Sequence, residues 1–206
     1  MYARSTTFQA NLHKIDAGID FLRDEVVPAV QAMPGCIGLS MMADRMSGRC
    51  IVTSSWDSLD GMRASDAAIA PMRSRAGKLL GGLPFVEEWE IAAMHRHHLS
   101  HQGACVRATW MHGAVADLDR GIDVYRMVTM PAMESLAGFC SASLFLDRTT
   151  GRAVMSATYD SPELMKASRE PAKDLRLRTA NDARVDILDV AEFELLMAHL
   201  RVPEMA

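Results

Sequence analysis

The chain is written twice. Gly18-Ile19-Asp20 returns as Gly121-Ile122-Asp123, Pro28-Ala29 as Pro131-Ala132, and Asp44-Arg45-Met46-Ser47-Gly48-Arg49 as Asp147-Arg148-Thr149-Thr150-Gly151-Arg152. A constant shift of about 103 residues also lays Arg4 and Thr6 on Arg107 and Thr109, and Met62-Arg63-Ala64-Ser65 on Met165-Lys166-Ala167-Ser168. Near the end of each half Glu88-Trp89-Glu90 matches Glu192-Phe193-Glu194 at a shift one residue longer. About a third of the gapless stretch is identical, more than shared propensity gives unrelated segments. The 206 residues therefore make two units of ordinary domain size, expected as a first domain over 1–94, a linker over 95–103 and a second domain over 104–206.

Each copy has the material for a core, since 49% of residues are hydrophobic and 23% charged. A net charge of -4, with arginines scattered among acids, excludes the electrostatic footprint of a nucleic-acid binder. No apolar run approaches the ~18 residues of a membrane span. Met1 to Thr7 reads as a strand and lacks the apolar stretch of a signal peptide, so the expectation is a cytoplasmic protein with neither a membrane nor a nucleic-acid partner. The four cysteines form no Cys-x-x-Cys pair. The hairpin that pairs Asp44 with Arg49 puts Cys50 opposite Ala43, rungs away from Cys36, and predicts buried reduced thiols.

Residues 1–9 read as a strand, and Ile19, Leu22, Val26, Val27 and Val30 recur at helical spacing over 16–33, with Pro28 as a kink. Two strands over 36–43 and 50–56 flank a turn in which Gly48 supplies the left-handed conformation. Ser58 and Ser161 are helix N-cap candidates. A second helix over 59–80 is expected to break near Pro71 and to end at Gly81-Gly82, before a fourth strand over 85–93. The order βαββαβ, twice, is the ferredoxin-like plan of the α+β class. Such a sheet buries one face under its helices, and two copies can cover each other's second face.

These residues carry a resemblance. The first strand, Pro34-Gly35, the Asp-Arg-x-Ser-Gly-Arg hairpin, Trp56-Asp57-Ser58 and Glu88-Trp89-Glu90 resemble the antibiotic biosynthesis monooxygenase superfamily of dimeric α+β barrels, over nearly the whole chain and in both copies. The resemblance implies an intramolecular dimeric α/β barrel, an internal pseudodimer with homo-oligomers open, and a ligand cavity in each copy between sheet and helices. Haem-degrading members use an Asn on the first strand, a His on the second helical segment and a nearby Trp. Here the first-strand position is Thr7 or Trp110, and neither copy's second helix contains a His. The resemblance then implies a cofactor-independent monooxygenase that orients a phenolic, aromatic or polyketide-like small molecule and stabilises its anion. A non-catalytic barrel that binds a small molecule or assembles with partners is the alternative.

The residues expected to line such cavities are Thr7, Ser54, Trp56, Arg73 and Arg75 in the first copy, and Trp110, Tyr159, Arg176 and Arg178 in the second. Alternation along the first strand assigns Val106, Ala108 and Trp110 to the helix-facing side. It sends Arg4, Thr6, Arg107 and Thr109 to the barrel interior, where Glu88 and Glu90, or Glu192 and Glu194, would meet the arginines. His95, His97, His98 and His101 lie within seven residues of each other, but the spacing matches no defined zinc site and the segment itself holds no acid or Cys. It reads as a solvated linker, and neither a metal nor a cofactor is expected.

Overall fold

The structure, a computed structural model, describes residues 1–200. The first copy runs β1 (Tyr2–Gln9), α1 (Ile15–Phe21), α2 (Val27–Gln31), β2 (Cys36–Asp44), β3 (Arg49–Trp56), α3 (Leu59–Ala64), α4 (Asp66–Leu80) and β4 (Phe85–Arg96). The second repeats it as β5 (Cys105–Gly113), α5 (Leu118–Val124), α6 (Met130–Glu134), β6 (Phe139–Asp147), β7 (Arg152–Tyr159), α7 (Pro162–Ala167), α8 (Arg169–Ala183) and β8 (Val185–Leu200). Hydrogen-bonded neighbours follow the order β1-β3-β2-β8-β5-β7-β6-β4 and close into a barrel of eight strands.

Two compact units divide the chain. One holds Met1–Trp89 with the segment that begins at Glu194, and the other holds Glu90–Phe193. In the first, β3 pairs antiparallel with β1 and β2, and β2 pairs with the last part of β8 from Ala43↔Glu194 onward. In the second, β7 pairs with β5 and β6, and β6 pairs with Glu90 to Arg96 of β4. The ends of β4 and β8 are thus exchanged between the sequence copies.

Local chemistry explains what the copies share. Asp44 accepts from the Met46 backbone N–H at 2.8 Å and from Ser47 Oγ at 2.5 Å, and Asp147 does the same with Thr149 and Thr150. Gly48 and Gly151, at φ 80 and 74, then close each hairpin in the left-handed region. Ser58 and Ser161 cap α3 and α7 by accepting from Gly61 and Leu164. Ahead of Pro28 and Pro131 the helices widen into π-helical segments, Leu22–Val26 and Tyr125–Thr129. A proline removes one backbone donor, and a π turn re-registers the carbonyls before it.

Two expectations are corrected. The second helix breaks at Ser65, between α3 and α4, and Pro71 stays inside α4 on an exposed turn. Ser65 Oγ donates to the Met62 carbonyl at 2.6 Å and receives Arg4 Nη1 at 3.4 Å, so a polar side chain marks the break. The faces of β1 and β5 are also the reverse of those expected. Cys105 and Met111 pack in the core beneath Leu118, Tyr125 and Leu175, and Arg107 and Thr109 point the same way. Trp110 points to the opposite face, against Phe193 at 6.2 Å. Alternation separates two faces without saying which is covered, and the break at Ser168 offers buried acceptors that the Arg107 guanidinium takes.

Candidate functional site

The helix-covered face of the second unit holds a cavity built from all its layers. β5 contributes Arg107 and Thr109, β7 contributes Met155, Ala157 and Tyr159, and α8 contributes Ala172, Leu175 and Arg176, with Met133 and Leu136 closing the side. Its volume is about 20 Å³, against the ~10–15 Å³ that one water needs. The cavity at rest therefore takes one or two waters. A second cavity of about 30 Å³ shares Met155 with the first and runs to Leu118, Tyr125, Leu144 and Thr179.

Polar groups converge at one end of the first cavity. Arg107, 5% exposed, donates to Glu192 at 2.9 Å, to the Met165 carbonyl at 2.7 Å, and to Ser168 Oγ and Tyr159 Oη at 3.3 Å. Its guanidinium carbon stands 5.3 Å from the centre of the Tyr159 ring. Burial raises the Glu192 pKa, but hydrogen bonds from Arg169 and Arg107 outweigh it and hold the carboxyl below its ordinary value. Arg176 is half-buried at the same cavity and makes no hydrogen bond or ion pair with any described residue. Burial, and next the Arg107 charge, pull its pKa below the ordinary arginine value. An arginine does not lose its proton at neutral pH, so a positive charge outside any ion pair, attracted only at longer range by Tyr159 and Glu192, faces the cavity.

The first copy shows what this arrangement would be without a cavity charge. Arg73, the counterpart of Arg176, pairs with Asp66 at 3.0 Å. In the second copy the position of Asp66 is Arg169, which removes that partner and adds a cation. Trp56, 0% exposed, occupies the place of Tyr159 and donates its indole N–H to Ser54 Oγ at 3.0 Å, where the second copy has only Ala157. The first copy therefore carries a larger ring and a hydroxyl where the second has Tyr159 and Ala157.

At the far end, Tyr125 is 2% exposed and its hydroxyl has no partner among the described residues. Burial pushes its pKa far above the ordinary tyrosine value. The Thr129 and Thr179 hydroxyls lie 2.8 Å apart beside it. Leu22 stands at the position of Tyr125 in the first copy, so the polar group belongs to the second copy alone.

Of the residues singled out by sequence, Tyr159 and Arg176 meet at this cavity, and Trp56, Ser54 and Arg73 hold the equivalent positions of the first copy. Thr7 and Trp110 lie on the opposite sheet face, on β1 and β5. Arg75 pairs with Glu25 over the Phe21 ring, and Arg178 is exposed on α8. Arg107, Thr109, Met155 and Tyr125 were missed as cavity residues. Comparing Tyr125 with Leu22 across the repeat was the available signal.

No protein-family model matches the chain. The uncharacterised protein Rv2557 of Mycobacterium tuberculosis H37Rv is 52% identical over 205 residues, covering 100% of this chain and 92% of its own length. The uncharacterised Rv2558 of the same strain is 50% identical over 206 residues, covering 100% and 87%. Among solved structures, a candidate monooxygenase from Lactobacillus acidophilus NCFM superposes with a TM-score of 0.72 at 9% identity, over 97% of this chain and 96% of that one. An anthrone oxidase-like protein does so with a TM-score of 0.68 at 12% identity, over 100% and 95%. A ferredoxin-fold protein related to antibiotic biosynthesis monooxygenases, from Listeria monocytogenes, gives 0.56 at 8% identity, over 95% and 94%. At these identities the likeness is one of fold.

Proposed function

Since the chain belongs to the family of Rv2557 and Rv2558, and shares the fold of ferredoxin-like proteins related to antibiotic biosynthesis monooxygenases, we propose that its second copy binds an acidic aromatic or polyketide-like molecule and oxidises it with oxygen alone. The observation that carries this reading is Arg176, a cation with no hydrogen bond or ion pair among the described residues, at an apolar cavity that also holds Arg107 and Tyr159. A phenolate or enolate oxygen placed there meets a fixed positive charge. At ~4 Å and an effective dielectric constant of ~20 the attraction is about 4 kcal/mol before desolvation. Stabilising the anion lowers the substrate's pKa and leaves an electron-rich carbon exposed to oxygen. For a ring methylene the balance is CH2 plus O2 giving C=O plus water, with the substrate supplying the electrons.

Admission of a ring requires Met133, Met155 and Leu136 to turn aside, and methionine with its three rotatable bonds does this at low cost. The small resting volume favours a second reading, a binding protein without chemistry. Oxygen uptake with anthrone and simple naphthols separates the two. Turnover by the wild-type chain, lost about 100-fold in Arg176→Met, supports the oxygenase. Saturable binding of the same compounds with no oxygen consumed supports the binding protein.

A further inference from the structure

The second unit carries a cluster that its sequence does not announce. His98, Cys140 and Asp160 bring one ligand atom each to within 4.8 Å of one another. His98 Nε2 lies 2.7 Å from Asp160 Oδ1, and His101 Nε2 lies 3.5 Å from the same oxygen. The histidine segment thus receives from β6 and β7 the thiol and carboxylate that it lacks in the chain.

Backbone structure fixes these positions. The β6–β7 register slips between Phe139 and Ser141, which makes Cys140 the extra residue of a bulge, and bulges re-aim side chains. The Cys140 carbonyl accepts from the His97 and His98 backbone N–H groups at 2.9 and 3.3 Å, tying the loop after β4 to that bulge. Asp160 follows β7 and donates its backbone N–H to the Gly138 carbonyl at 2.9 Å. His101 Nδ1 lies 2.8 Å from the Gln102 carbonyl, which can only accept, so Nδ1 carries the proton. In the neutral ring Nε2 then turns a lone pair toward the Asp160 carboxylate, two acceptors facing each other across 3.5 Å. A hydrogen bond from the far ring nitrogen to a carbonyl is also how metal-binding histidines are held.

We propose that Cys140, His98 and Asp160 form a zinc site. One thiolate, one imidazole and one carboxylate suit Zn²⁺ and leave its fourth tetrahedral position to water or, after a turn of the side chain, to His101. His98 and His101 are exposed and form the route of access, whereas Cys140 is buried and its thiol donates to the His98 carbonyl at 3.2 Å, a bond that zinc would replace. The first copy builds the same corner with Asp57, whose N–H donates to the Gly35 carbonyl at 2.9 Å, but has Ile37 at the position of Cys140. The thiol is thus an addition of the second copy. Bound zinc would clamp the segment joining the copies to β6 and β7.

The full chain, freed of metal with a chelator, is titrated with Zn²⁺ against a chromophoric competitor, and separately with Co²⁺. The expected results are one Zn²⁺ per chain and a thiolate-to-cobalt charge-transfer band. Cys140→Ser, Asp160→Asn and His98→Ala should each weaken Zn²⁺ binding at least 30-fold or so, and His97→Ala, which alters only a neighbour, by no more than about twofold. A cobalt spectrum of the wild-type chain without the thiolate band overturns the proposal, whatever the variants do. So does equal Zn²⁺ affinity in wild type and Cys140→Ser, or an equal loss in His97→Ala.

Discussion

Replacing Arg107 by Met tests how the cavity's polar end is held. The substitution keeps the length and apolar stem of the side chain and removes its donors to Glu192, Met165, Ser168 and Tyr159. Breaking a buried ion pair costs about 3–5 kcal/mol. Here the loss is smaller, because Glu192 is 30% exposed and keeps Arg169 at 2.7 Å. The Met165 carbonyl and the Ser168 hydroxyl lose a donor each, at about 1 kcal/mol apiece, so the net destabilisation is about 2–3 kcal/mol. At an m value of ~2 kcal/mol/M, the urea midpoint of the transition that includes this unit falls by about 1–1.5 M. The matching Arg4→Met change should cost about 1–2 kcal/mol, since among the described residues Arg4 has only Ser65, Asp66 and Glu88, and those acids keep Arg73 and Arg63. A loss below about 1 kcal/mol for Arg107→Met, or a larger loss for Arg4→Met, refutes the reasoning.

Other outcomes follow from the same geometry. Arg184 sits at φ 57 where the first copy has Gly81 at φ 84, and its pair with Asp117 at 3.7 Å is exposed. Arg184→Gly should raise stability by about 0.5–1 kcal/mol in denaturant titration, because glycine adopts the left-handed region without strain. Glu88 and Glu192 are both held below their ordinary pKa, burial being outweighed by hydrogen bonds from arginines. Their contribution is present above the unfolded carboxylate value and disappears as pH falls through the lower folded values, so stability drops on acidification, and Glu192→Gln should flatten that slope. Cys50 is fully buried and its thiol is pushed up to about 11 by burial, so it should resist alkylation at pH 8 in the folded chain and react after unfolding, as read by mass spectrometry.

What could be read from sequence was local. The Asp44 and Asp147 turns, the Ser58 and Ser161 caps and the placing of Cys50 opposite Ala43 depend on residues a few positions apart, and the structure repeats them in both copies. Pro71 looked like the helix breaker, but its freed carbonyl partner faces solvent, whereas Ser65 turns its hydroxyl inward onto Met62. The arginines on β1 and β5 were separated correctly from their neighbours and then sent to the wrong face, because alternation is blind to inversion and the acceptors at Ser65 and Ser168 come from elsewhere in the fold. The His98, Cys140 and Asp160 cluster depends on a bulge and on strand pairing over long separations, which spacing along the chain does not encode. Arg176 was legible as a residue, but its lack of a partner was legible only by setting Asp66 against Arg169.

The most direct test of the central claim fills the Arg176 cavity with the side chains of the first copy. Ala157→Ser with Tyr159→Trp writes Ser54 and Trp56 into the second copy. Calorimetric titration of wild type with a naphthol or anthrone should give one site per chain, and the double variant should lose at least about 30-fold in affinity with its folding intact. Equal affinity in the two proteins would contradict the assignment of the ligand to this cavity.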